Sequence, residues 1–137
     1  MGTPETPLAT QPRQPHPNFK QLLKQYEKIT DPLIYFGNLK DNEGLKAFYG
    51  HFEDIIRQTE QYLTEKLGAE EAEKLFLDTD RPFSMIPFSE LIKADSRSAK
   101  LAKYGKDAEE AYLTLLRYKW YSRAIIQILD DRGDSVV

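Results

Sequence analysis

The chain has 137 residues, of which 40% are hydrophobic and 30% charged, with a formal net charge of −3. That is the length of one domain and the composition of a globular, water-soluble protein. The absence of cysteine excludes disulfides, thiolate metal sites and cysteine nucleophiles, and no apolar run nears the roughly 18 residues that cross a bilayer. The N-terminus lacks the basic start and apolar stretch of a secretory signal, so a cytoplasmic location without membrane contact is expected. Charge is unevenly spread. Residues 41–80 hold eleven acidic and four basic side chains, and residues 81–123 hold nine basic and five acidic. Two faces with different partners are expected from that division.

Five of the eight prolines (Pro4, Pro7, Pro12, Pro15 and Pro17) lie in residues 1–17. With almost no large apolar side chains, that stretch reads as a flexible tail or linker. Asn18 is a candidate N-cap for a first helix whose apolar face is Phe19, Leu22, Leu23, Tyr26 and Ile29. Asp31-Pro32 reads as a second cap with proline at the first helical position, leading to a short segment through Leu39 that bends near Gly37. Asp41-Asn42-Glu43-Gly44 reads as a turn.

The longest apolar stripe runs from Leu45 through Phe48, Tyr49, Phe52, Ile55, Ile56, Thr59, Tyr62 and Leu63 to Leu67, predicting a helix over 43–67 with Gly68 as its C′ residue. A short helix over 69–77 follows, with Glu70, Glu71 and Glu73 near its N-terminus, where they favour the helix dipole. A loop over 78–89 contains Pro82 and Pro87. Another helix starts near Ser89, is interrupted at Asp95–Ser96 and ends at Gly105. The last helix spans 107–131. Ala108, Ala111, Tyr112, Leu115, Ile125 and Leu129 form its stripe, and Leu116, Trp120 and Ile126 a second apolar edge, so it should be central. No period-2 segment and no repeat is visible. The expected fold is all-α: a single bundle of five or six helices over 18–132, with 133–137 as a C-terminal tail.

Catalytic chemistry is hard to find. His16 lies in the proline-rich stretch, which leaves His51 as the sole histidine of the helical part. Paired Glu-x-x-His helices for a di-iron centre and multiple imidazoles for zinc are missing. So are a phosphate loop, a dinucleotide fingerprint and a nucleophile elbow. Asp78-Thr79-Asp80 fails the calcium-loop spacing after Asp80 and reads as a solvated turn. Met1-Gly2 with Thr6 fits a loose myristoylation pattern that Pro4 and Glu5 disfavour. Arg132-Gly133-Asp134 spells an adhesion tripeptide but reads as the end of the last helix. The expectation is a non-enzyme with no metal and no cofactor.

The most informative surface feature is Lys93, Arg97, Lys100 and Lys103, spaced 4, 3 and 3, which form one ridge if helical. Lys106 extends it. Arg117-Tyr118-Lys119-Trp120-Tyr121-Ser122-Arg123 then interleaves three cations with three aromatics, a mixture that suits nucleic acid because cations follow phosphates and rings stack on bases. The competing reading is a solvated face whose cations pair with Glu90, Asp107, Glu109 or Glu110, and in which Trp120 and Tyr118 are core or interface residues.

In its cysteine-free helical build, the basic segment 93–106 and the final helix AEEAYLTLLRYKWYSRAIIQIL, the chain resembles the small helical subunits of CRISPR effector complexes, particularly the type I-D small subunit. The likeness covers residues 18–132. It implies an architectural role without cleavage: copies stacked along the complex, helping to hold the duplex of guide RNA with target DNA and the displaced strand. The proline-rich start would suit an interdomain linker exposed by internal initiation. Lys93, Arg97, Lys100, Lys103, Lys106, Arg117, Lys119 and Arg123 become the candidate phosphate contacts, with residues 41–80 facing other protein subunits or solvent. The alternative expectation is a helical adaptor or assembly factor that binds only protein.

Overall fold

The computed structural model describes residues 17–79 and 101–136. The expectations for the proline-rich segment before Pro17, the loop from residue 80 to Ser89 and the interrupted helix from Ser89 to Lys100 fall outside these residues, whereas Asp78 and Thr79, expected in that loop as part of a solvated turn, are helical. The described residues form five α-helices and one 3-10 turn and contain no strand: α1 Phe19–Gln25, α2 Pro32–Gly37, α3 Asn42–Leu67, α4 Ala69–Thr79, the 3-10 turn Leu101–Tyr104 and α5 Lys106–Asp131. The fold is an all-α bundle.

Local chemistry sets most boundaries. Asn18 Oδ1 accepts from the Gln21 amide at 3.0 Å, and Asp31 Oδ1 from Leu33 and Ile34 at 3.0 and 3.3 Å, each satisfying amides that a helix start leaves open. The run Asp41–Gly44 is not a free turn. Asp41 caps α3 through the Glu43 amide at 3.0 Å, and Gly44 lies inside the helix. A Cβ on Gly44 would sit 3.3 Å from the Asp41 carboxylate, so the missing side chain leaves room for the cap. Gly68, at φ 93°, ends α3 and is followed directly by α4, which runs two residues beyond the expected end.

Two expectations need correction. First, α1 ends at Gln25 rather than near Ile29, because Tyr26 leaves helical geometry and side chains of α5 take up the carbonyls released there. Second, Ile126 does not complete a buried second edge on α5. It is 43% exposed, although Leu116 and Trp120 are buried as expected.

α5 is the centre of the bundle and packs on every other described element. Its partner α3 runs antiparallel to it: Lys46 near the start of α3 meets Asp134 beyond the end of α5, whereas Glu60 meets Lys119. Tyr26, Phe36, Phe52, Tyr118 and Tyr121 form an aromatic cluster, mostly edge to face, with ring centroids 5.1 to 6.2 Å apart. Burying Phe36 and Phe52 completely contributes about 1.5–3 kcal/mol each.

The chain end is held down. Gly133, at φ 75°, closes α5 in a Schellman motif: its amide donates to Asp130 at 3.0 Å, and the Asp134 amide donates to Leu129 at 2.8 Å. The tripeptide Arg132-Gly133-Asp134 is therefore the terminus of the last helix. In the segment expected as a tail, Asp134 binds α3 and Val136 packs against the core.

Candidate nucleic-acid interface

Five of the eight basic candidates lie in the described residues; Lys93, Arg97 and Lys100 lie outside them. Lys103 and Lys106 are exposed on either side of Gly105, where the 3-10 turn passes into α5. Lys103 Nζ stands 5.1 Å from the centroid of the Tyr104 ring, a cation–π contact.

The three cations of the aromatic-rich string do not join that pair. Arg117 and Lys119 are two positions apart, about 200° around a helix, so they leave opposite sides of α5. Arg117 is half-buried and donates through Nη1 to the Leu23 carbonyl of α1. A guanidinium at the C-terminal end of a helix meets both an open carbonyl and the negative end of the helix dipole. Lys119 points to α3, where Nζ pairs with Glu60 Oε2 at 3.4 Å and its side chain is only 14% exposed. Arg123 is half-buried beside Glu53 and Glu60. The expected acidic neighbours were local ones. Glu60, which pairs with Lys119, is 59 positions away in sequence and is brought near only by the antiparallel α3–α5 contact.

The aromatics of the string belong to the interior. Tyr118, Trp120 and Tyr121 are all buried, so the core reading of Tyr118 and Trp120 describes them and a stacking platform does not. Tyr118 Oη donates to the Leu22 carbonyl at 3.3 Å, and Tyr121 Oη to the Tyr26 carbonyl at 3.1 Å. Burial pushes both phenols up, Tyr121 to about 12. With Arg117, these two hydroxyls satisfy carbonyls where α1 ends.

A second cluster had no sequence signal beyond the residue types. Arg132 donates through Nη1 to Asn42 Oδ1 at 2.8 Å and through Nη2 to the carbonyls of Gly37 and Leu39 at 3.1 and 2.7 Å. Asp134 accepts from Asn42 Nδ2 at 3.1 Å and pairs with Lys46 Nζ at 3.2 Å. The Ser135 amide and Lys46 hold its carboxyl below the usual range. This cluster fastens α5 to the α2–α3 junction.

His51 is exposed on α3, and no group of three metal-ligating His, Asp or Glu side chains assembles among the described residues. No helix among them is long and apolar enough to cross a membrane. Comparison of the chain with protein families, with curated proteins and with solved structures finds no match.

Proposed function

We propose that the chain is a non-catalytic helical subunit of a multi-subunit ribonucleoprotein of the CRISPR effector kind, where it helps to hold the guide–target duplex and displaced strand. One observation supports the nucleic-acid part of this reading: the division of labour among the basic side chains. Arg117 and Lys119 bind α1 and α3, while Lys103 and Lys106 stand exposed together at the start of α5. Phosphate contact is therefore assigned to that end of the bundle rather than to the length of the last helix.

The test is the double charge reversal Lys103→Glu/Lys106→Glu in the assembled complex, with target binding measured across a salt series. Losing two phosphate contacts should weaken binding and flatten the slope of log K against log[salt] by about 2. Unchanged affinity and slope would remove this contact from the proposal.

A protein-only adaptor is the second reading, favoured by the large apolar side chains left exposed: Ile34 and Tyr35 on α2, and Leu77 on α4. Each of these side chains offers apolar contact area to a protein partner. Retention of a protein partner after complete nuclease digestion, with no effect of the Lys103/Lys106 reversal, would select it.

A further inference from the structure

Lys46, Arg57, Lys74 and Lys119 each pair with a carboxylate. Lys20 and Lys24, one turn apart on α1, and Lys28, just beyond its end, are exposed and carry no ion pair among the described residues. The helix dipole accounts for Lys24, which lies in the last turn of α1. It does not account for Lys20, which lies at the positive end of the same helix, or for Lys28, which lies outside it.

Lys24 and Lys28 line one cleft of about 320 Å³ together with Gln25 and, from α2, Tyr35. Glu27 lines it too and pairs with neither lysine, so the cleft keeps a net positive charge. Tyr35 is 47% exposed, and its one ring neighbour among the described residues is Phe36, edge to face at 5.0 Å. At least one face of the phenol ring therefore meets no other ring. This is the open aromatic beside cations that Tyr118, Trp120 and Tyr121 do not provide, because those rings are buried.

A carboxylate would satisfy the lysines and leave the ring and the amide unused. A nucleotide uses all three: the ammonium groups hold phosphate, the Gln25 amide donates to and accepts from a base edge, and the ring stacks on the base. A duplex keeps its base faces covered by their neighbours, so the matching ligand is a single strand. Lys20 lies about 6 Å along α1 from Lys24, four residues of helical rise, a step comparable to that between successive phosphates of a strand.

We propose that the α1–α2 cleft binds single-stranded nucleic acid: Tyr35 stacks on one base, Lys24 and Lys28 hold the phosphate beside it, and Lys20 holds the next. The site rests on the nucleic-acid reading of the chain but uses none of the cations assigned there.

The test is a titration of the isotope-labelled full chain, at low salt, with four-nucleotide oligothymidylate and oligouridylate, followed by amide chemical shifts. Saturable shifts at Lys24 to Ile29 and at Tyr35 are expected, and the tighter of the two probes tells DNA from RNA. Tyr35→Ala should weaken that probe at least about fivefold, the lower end of what one stacked base contributes, whereas Tyr35→Phe, which keeps the ring, should bind as the unaltered chain does. Lys24→Glu/Lys28→Glu should abolish the shifts. An abasic strand of the same length should bind more weakly and be indifferent to Tyr35→Ala. Absence of saturable shifts in the cleft, equal affinity for the abasic strand or for a duplex, or unchanged affinity in Tyr35→Ala would each overturn the proposal. Equally tight binding of a tetraglutamate peptide would overturn it in favour of an acidic protein partner. Lys103→Glu/Lys106→Glu should leave the affinity unchanged; binding lost in that variant and kept in Lys24→Glu/Lys28→Glu would overturn this site while the contact at the start of α5 stands.

Discussion

Arg132, the C-cap residue of α5, donates to the carbonyl of Leu39, just beyond the end of α2, at 2.7 Å. The same guanidinium reaches Gly37 and Asn42, so one side chain joins the end of α2, the start of α3 and the end of α5. Arg117 does the equivalent for α1 through Leu23. Both short helices therefore end on arginines of the central helix. Arg132→Ala should lower the stability of the bundle by about 2 kcal/mol, within the range for hydrogen bonds to a charged group. Arg132→Lys should recover only part of that, because an ammonium lacks the planar fork that reaches three acceptors. Denaturant midpoints of the two variants check both statements, and equal midpoints would contradict the assigned geometry.

The aromatic cluster makes a prediction at alkaline pH. Tyr121 is held protonated to about 12 by burial, against an ordinary value of 10.0. Its folded pKa is raised, so its contribution to stability is fully present below 10 and is lost as pH rises from there towards 12. Tyr121→Phe removes this titration together with the bond to the Tyr26 carbonyl. That change should cost about 1 kcal/mol at neutral pH and reduce the loss of stability between pH 10 and 12. Thermal unfolding across that range is the measurement.

At the acid end the sign reverses. Asp134 has a lowered folded pKa, caused first by the Ser135 amide and then by Lys46. Its contribution is present above the ordinary carboxylate value and disappears as pH falls through the folded one. Asp134→Asn should therefore flatten the acid limb of the Tm–pH curve. Parallel acid limbs for the two proteins would show that the Lys46–Asp134 contact does not act in this way.

Two glycines should respond oppositely to alanine. Gly133 holds φ 75° with open space around a built Cβ, so Gly133→Ala should cost about 1–2 kcal/mol from backbone strain alone. Gly50 lies exposed inside α3, also with open space, and Gly50→Ala should stabilise by about 0.5–1 kcal/mol. Denaturant titrations of the two single variants should move in opposite directions.

Helix class and most helix termini were legible in the linear chain because they depend on neighbours three or four positions apart. Asn18, Asp31 and Gly68 stand at the boundaries assigned to them, and the stripes of α3 and α5 face the core as their spacing requires. Asp41 was misread because a cap followed by a glycine has the composition of a turn. Only the tertiary structure decided what each polar side chain of α5 does. Arg117, Lys119 and Arg123 look alike in sequence, yet Arg117 closes α1 and Lys119 pairs across the α3–α5 seam, while Arg123 lies beside Glu53 and Glu60. The reason is physical. A cation's role depends on which carbonyl or carboxylate lies within about 3 Å, and those acceptors sit in α1 and α3, 59 to 94 positions earlier in the chain.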